Sequence, residues 1–154
     1  MPTLVFDIET VGEDFDTLDE TSQDVLTRWI KKESGSGEDY TAALANLKNG
    51  MGFSPLTGQI VAIGIRDVER SKGAVYFQTS PKGKETSFEE GDCKFEVMTE
   101  KEMLQKFWEV IEKYDTFVTF NGRAFDVPFL MVRSAIHSIR PTKNLLANRY
   151  LNYH

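Results

Sequence analysis

At 154 residues the chain is long enough for one domain with a real core and too short for two comfortable ones. A single cysteine, Cys93, excludes an internal disulfide and any Cys-rich zinc site, and fits a reducing compartment. The net charge of −6 argues against non-specific binding of nucleic acid. It is unevenly placed: residues 1–40 hold eleven acids and three bases, whereas residues 118–154 hold Arg123, Arg133, Arg140, Lys143 and Arg149 against Asp126 alone. Head and tail could attract each other, or a carboxylate site could lie beside a surface that meets phosphate. No basic leader precedes a long apolar run, and no stretch reaches the roughly 18 apolar residues of a membrane span. The expected location is cytoplasmic, with no membrane partner.

In chain order, "TLVFDIET" is β-branched and aromatic and predicts a strand from Thr3 to about Ile8. Residues 12–20 are acidic and turn-like. "TSQDVLTRWIKK" sets Val25, Leu26, Trp29 and Ile30 at helical spacing behind Thr21 or Ser22 as N-cap, and predicts a helix to about Lys32. After the break "SGSGEDY", "TAALANLKN" continues a shorter helical pattern, so a helical insert is expected at about 20–50. "QIVAIGIRD" reads as a strand and "GAVYFQT" as its antiparallel hairpin partner. Residues 80–92 read as polar loop, and "CKFEV" as a third short strand.

Thr99 to Glu102 form a capping box opening an amphipathic helix with Met103, Leu104, Phe107, Trp108 and Ile111 on one side. "TFVTF" (116–120) is a short apolar strand. "NGRAFDVP" follows, then a helix with Phe129, Val132, Ile136 and Ile139 at 3-4-3 spacing, Asp126 at the N-cap and Pro128 in the first turn. "NRYLNYH" could begin another strand. The last clear strand can lie parallel to the first through a right-handed crossover, giving a mixed α/β sheet flanked by helices.

Asp7 and Glu9 share a strand face while Ile8 points to the core. Two carboxylates side by side repel, and a hard divalent cation would offset them. The plainer alternative has Glu9 solvated beyond the strand end and Asp7 capping a turn. Asn121-Gly122 between apolar runs is itself a hairpin signal, pairing "TFVTF" with "RAFDV". The helical periodicity after Arg123 and the presence of Pro128 favour a strand–loop–helix instead. That arrangement brings Asp126 towards Asp7 and Glu9.

"FDIET" followed by "FNGRAFDVPFL" resembles the first two motifs of the ribonuclease-H-like 3′→5′ exonucleases of the DEDD type. With "SPLTGQIVAIGI", it is most similar to those related to the proofreading domain of B-family DNA polymerases. The resemblance covers roughly residues 1–139. It implies a ribonuclease-H-like mixed sheet and phosphodiester hydrolysis at single-stranded DNA or RNA 3′ ends by two Mg²⁺ or Mn²⁺ ions about 3.5–4 Å apart. In that scheme Asp7 bridges the ions, Glu9 holds the first, and Asp126 holds the second partly through water. Asn121 and Gly122 would approach the terminal nucleotide. Phe125 would pack or wedge against a base, and Thr10 would reach the 3′ end or simply close the strand. The family's fourth carboxylate, preceded by a Tyr or His base, has no match: no Asp or Glu follows Asp126, Tyr153 and His154 lack the acid, and His137 reads as a surface or packing residue. The chain is therefore expected to be a truncated single domain or a catalytically incomplete binding module. A missing strand and helix would expose apolar surface and allow self-association. The remaining alternative is an α/β domain with surface acids and no nucleic-acid affinity.

Overall fold

The computed structural model describes residues 1–34, 37–80, 83 and 86–147. The chain divides into two compact units, one formed by Met1–Glu9 with the chain from Ile60 onward, the other by Thr10–Gln59. The elements in order are β1 (Thr3–Gly12), α1 (Glu20–Glu33), α2 (Glu38–Gly50), β2 (Gly58–Asp67), β3 (Lys72–Phe77), β4 (Phe88–Glu90), β5 (Cys93–Val97), α3 (Glu100–Ile111), β6 (Thr116–Val118) and α4 (Asp126–Ile136). Among the described residues the strands form one mixed sheet in the order β4-β5-β3-β2-β1-β6. The expected mixed α/β sheet with flanking helices is what the chain builds.

In the first unit, Leu4, Phe6 and Ile8 of β1 are buried while Val5, Asp7 and Glu9 between them are exposed. This alternation fixes which face of the strand meets the core. The core joins them to Ile60 and Ile63 of β2 and to Met103, Leu104, Phe107, Trp108 and Ile111 of α3. Phe6 and Phe107 meet edge to face at 5.2 Å. Each such side chain contributes about 1.5–3 kcal/mol by leaving water. The capping box at Thr99 and Glu102 is present as the sequence predicts. The hairpin of β2 and β3 is antiparallel, and β1 pairs with β6 in parallel from Thr3↔Thr116 to Val5↔Val118.

Several expectations need correction. β1 continues to Gly12 rather than stopping near Ile8. The α1 cap is Asp19, whose carboxylate accepts from the Ser22 N–H at 3.0 Å, so the helix starts earlier than Thr21 or Ser22 suggested. Residues 80–92 are not all loop: β4 pairs antiparallel with β5, and Phe88 stacks on Phe95 at 4.5 Å. The buried residues of α4 are Asp126, Val127, Phe129, Leu130 and Ser134, whereas Ile136 is exposed and Ile139 lies beyond the helix. A polar Ser134 belongs to the buried set because its hydroxyl accepts from the Trp108 indole N–H at 2.8 Å, a satisfied contact that hydrophobic periodicity does not reveal. The strand expected in "NRYLNYH" lies outside the described residues.

In the second unit, Phe15, Thr27, Ile30 and Met51 are buried. Gly12 and Gly52 touch backbone to backbone, and a Cβ on Gly12 would sit 2.8 Å from the Gly52 nitrogen. The helical insert expected at about 20–50 lies within this unit.

Candidate active site

Where β6 ends at Val118 the edge of β1 loses its ladder partner, and a side chain takes over. The Asp126 carboxylate accepts a hydrogen bond from the Ile8 N–H at 3.2 Å. Asp126 is 2% exposed, at the first position of α4, whose N-cap is Phe125 and carries no side-chain cap. The expectation that Asp126 itself caps the helix is therefore corrected: its carboxylate reaches across to β1 instead. Burial pushes the Asp126 carboxyl above the ordinary aspartate value, and the nearby Asp7 pushes the same way. The backbone N–H groups of Asp126 and Ile8 oppose that rise.

The fold thus brings Asp7 and Asp126 together across 118 residues of intervening sequence. Glu9 stands two residues along on the same exposed face of β1 as Asp7. Among the described residues, no three Asp, Glu, His or Cys side chains stand in a group able to enclose a metal ion. Asp7, Glu9 and Asp126 offer carboxylate oxygens, the class of donor that hard divalent cations prefer.

The loop before α4 is a tight turn rather than a hairpin. Asn121 has φ +55°, and its carbonyl accepts from the Ala124 and Phe125 N–H groups at 2.9 and 3.2 Å. Asparagine is among the few residues that adopt this conformation readily. A Cβ at Gly122 would fall 1.9 Å from Thr119 Oγ1, so only glycine fits there. The Phe125 ring lies 5.5 Å from that of Phe129 and packs partly buried against the core. Thr10 belongs to the second unit, where its hydroxyl donates to the Gly52 carbonyl at 2.7 Å.

Beside β6 lies a groove of about 800 Å³ whose lining includes Asp115, Phe117, Val118, Asn121, Gly122, Arg123 and Lys143, and does not include Asp7, Glu9 or Asp126. Arg123 donates to the Leu146 and Ala147 carbonyls at 3.0 and 2.7 Å. Lys143 donates to the Tyr114 carbonyl and lies over the Phe117 ring.

Sequence reasoning overlooked Glu100. Its buried carboxylate accepts from the Ile60 N–H at 2.8 Å and from Arg133 Nε and Nη2 at 2.8 and 2.6 Å, and it contacts His137 Nε2 at 2.7 Å. It ties the start of α3 to β2 and to the far end of the helix that carries Asp126. In the sequence it looked like an ordinary first-turn acid, and no local signal marked its reach.

Over 43 residues, 28% of the chain, the sequence is 42% identical to a DNA polymerase of Methanocaldococcus jannaschii, covering 3% of that protein. The family B DNA polymerase from the hyperthermophilic archaeon Pyrobaculum calidifontis is similar in structure with a TM-score of 0.47. That match has 16% identity and spans 94% of this chain and 12% of that one. The chain therefore spans only a small part of the length of either polymerase. Residues 61–151 match the family described as predicted 3′-5′ exonuclease related to the exonuclease domain of PolB, and the chain belongs to that family.

Proposed function

We propose that the chain hydrolyses phosphodiester bonds at the 3′ ends of single-stranded DNA or RNA, using Mg²⁺ or Mn²⁺ held by Asp7, Glu9 and Asp126. The observation that carries this reading is the Asp126 carboxylate docked on the Ile8 N–H beside Asp7. When bound, a pair of such ions supplies an activated water and charge stabilisation for the leaving 3′-oxygen. Asp126, buried and oriented by the Ile8 amide, offers a fixed carboxylate rather than a mobile one. Asp7 and Glu9 face outward from β1, where a nucleic-acid end can reach them. The left-handed turn at Asn121 and the bare Gly122 let the backbone approach a terminal nucleotide closely. Phe125 supports that turn from the core side, and Thr10 continues the strand past Glu9.

The decisive experiment is digestion of 5′-labelled single-stranded DNA in Mn²⁺, with Asp7→Ala and Asp126→Asn alongside. Stepwise shortening that both substitutions reduce by about 100-fold or more is expected for residues acting in one metal-dependent step. A second reading, a non-catalytic module binding single strands on the same fold, draws on the lack, among the described residues, of any group of three His, Cys, Asp or Glu side chains that could hold a metal ion. Salt-sensitive binding without shortening would select it, and neither binding nor shortening would overturn both.

A further inference from the structure

Two adjacent strands each give one backbone amide to a buried carboxylate. The Ile8 N–H of β1 donates to Asp126 at 3.2 Å, and the Ile60 N–H of β2 donates to Glu100 at 2.8 Å. These carboxylates, 2% and 5% exposed, are linked through α4. Asp126 opens that helix, and Arg133, seven residues on, returns to nearly the same face about 10.5 Å further along the axis. His137, the C-cap, meets Glu100 from the end of the helix.

The two ends of α4 are held unequally. At the Glu100 end, Arg133 Nε and Nη2 bond at 2.8 and 2.6 Å and His137 Nε2 lies at 2.7 Å, and the guanidinium pair is both bidentate and charge-assisted. At the Asp126 end a single contact sits at the long limit of an N–H···O bond, and a slide of about 0.5 Å would take it out of range. Between them, Phe129 and Leu130 are buried in apolar contact, which carries no direction of its own. The strong end therefore decides where the weak end stands. We propose that Glu100 is a positioning residue for the candidate site: it fixes α4 against β2 so that Asp126 meets the Ile8 amide. Its consequence for metal binding rests on the reading of Asp126 as a metal ligand, whereas the docking itself does not. Ser134 supplies the comparison, since its bond to Trp108 at 2.8 Å joins α4 to α3 and leaves β2 out.

The test is the amide-proton shift of Ile8 in ¹H–¹⁵N spectra recorded without metal, with Asp126→Ala supplying the undocked value. Glu100→Gln should move that shift about half of the way or more toward the undocked value, while the amides around Asp67 at the far end of β2 keep theirs. Glu100→Gln combined with Arg133→Met leaves neither half of the pair charged and buried, so it serves even where the single variant fails to fold, and the Ile8 shift should be displaced there too. Ser134→Ala should leave it near the wild-type value. An Ile8 shift unchanged in Glu100→Gln would overturn the proposal. So would a shift restored in the double variant, which would mean that stability and not position was lost, or an equal displacement in Ser134→Ala, because any loosening of α4 would then suffice. Mn²⁺ titrated into the same samples should bind about tenfold more weakly to the Glu100 variants, and an unchanged affinity beside a displaced amide would overturn the role at the site. Mn²⁺ that broadens no resonance near Ile8 in the wild-type chain would overturn the metal reading alone, the amide shift having already decided the position of Asp126.

Discussion

Arg133 grips Glu100 with two parallel hydrogen bonds, Nε to Oε1 at 2.8 Å and Nη2 to Oε2 at 2.6 Å, with side chains only 11% and 6% exposed. A planar guanidinium matches a carboxylate in this geometry as no lysine can. Removing Arg133 leaves the Glu100 charge buried with only the Ile60 N–H and His137 to hold it. Arg133→Met is therefore expected to destabilise the chain by about 3 kcal/mol, read from urea unfolding midpoints. Replacing both partners, Glu100→Gln with Arg133→Met, should recover a substantial part of that loss.

Acid should unfold the chain through the same group. Burial works to raise the Glu100 carboxyl, but Arg133, the Ile60 N–H and His137 outweigh it, and the group sits below the ordinary glutamate value. Asp67 sits low as well, held by the Arg70 N–H against burial, with help from Tyr114 and the Arg70 side chain. A carboxyl depressed on folding contributes its full stability above its unfolded value, about 3.9 for Asp and 4.3 for Glu, and loses it as pH falls through the folded value. The contribution of these two groups should be flat from pH 7 to about 5 and fall below the unfolded values. Glu100→Gln should flatten the acid limb of unfolding midpoints measured against pH.

Asp126→Asn should separate stability from function. The amide oxygen can still accept from Ile8, while the buried charge beside Asp7 disappears. In EDTA the substitution should raise the melting temperature by about 2 °C. The stabilisation by Mn²⁺ that the proposed site implies for the wild-type chain should be absent for the variant in the same scans.

Gly122→Ala forces a methyl into Thr119, whose Oγ1, Cβ and Cγ2 would lie 1.9, 2.6 and 2.9 Å away. Overpacking of this kind costs about 1–3 kcal/mol. Thr119→Ala should relieve the clash only in part, because the Cβ remains, and a double-mutant cycle on thermal unfolding reads the coupling.

Much of this was written in short-range pattern. The alternation of Leu4, Phe6 and Ile8 with Asp7 and Glu9 gave β1 and its faces. The helical periodicity after Arg123, with Pro128, chose a crossover over an Asn-Gly hairpin, and the crossover sets Asp126 against β1 at Ile8. What failed to show was whatever depends on a distant partner. β4 is three residues long and exists through its pairing with β5 and the Phe88–Phe95 stack. Asp126 reads as a capping residue in the sequence, but it stands one position inside α4 and its carboxylate reaches the amide of Ile8. Glu100 is indistinguishable from a solvated first-turn acid until Ile60 and Arg133 arrive from elsewhere in the chain.

The amide of Ile8 reports on the candidate site in a way that the amides paired with β6 do not. Its proton is held by a side chain of α4, not by another strand. Hydrogen–deuterium exchange at that one position therefore registers each departure of Asp126 from β1, while the amides paired with β6 register fraying of the sheet. Comparing the two rates would time the assembly of the carboxylate pair separately from the opening of the fold around it, in the native protein and without any substitution.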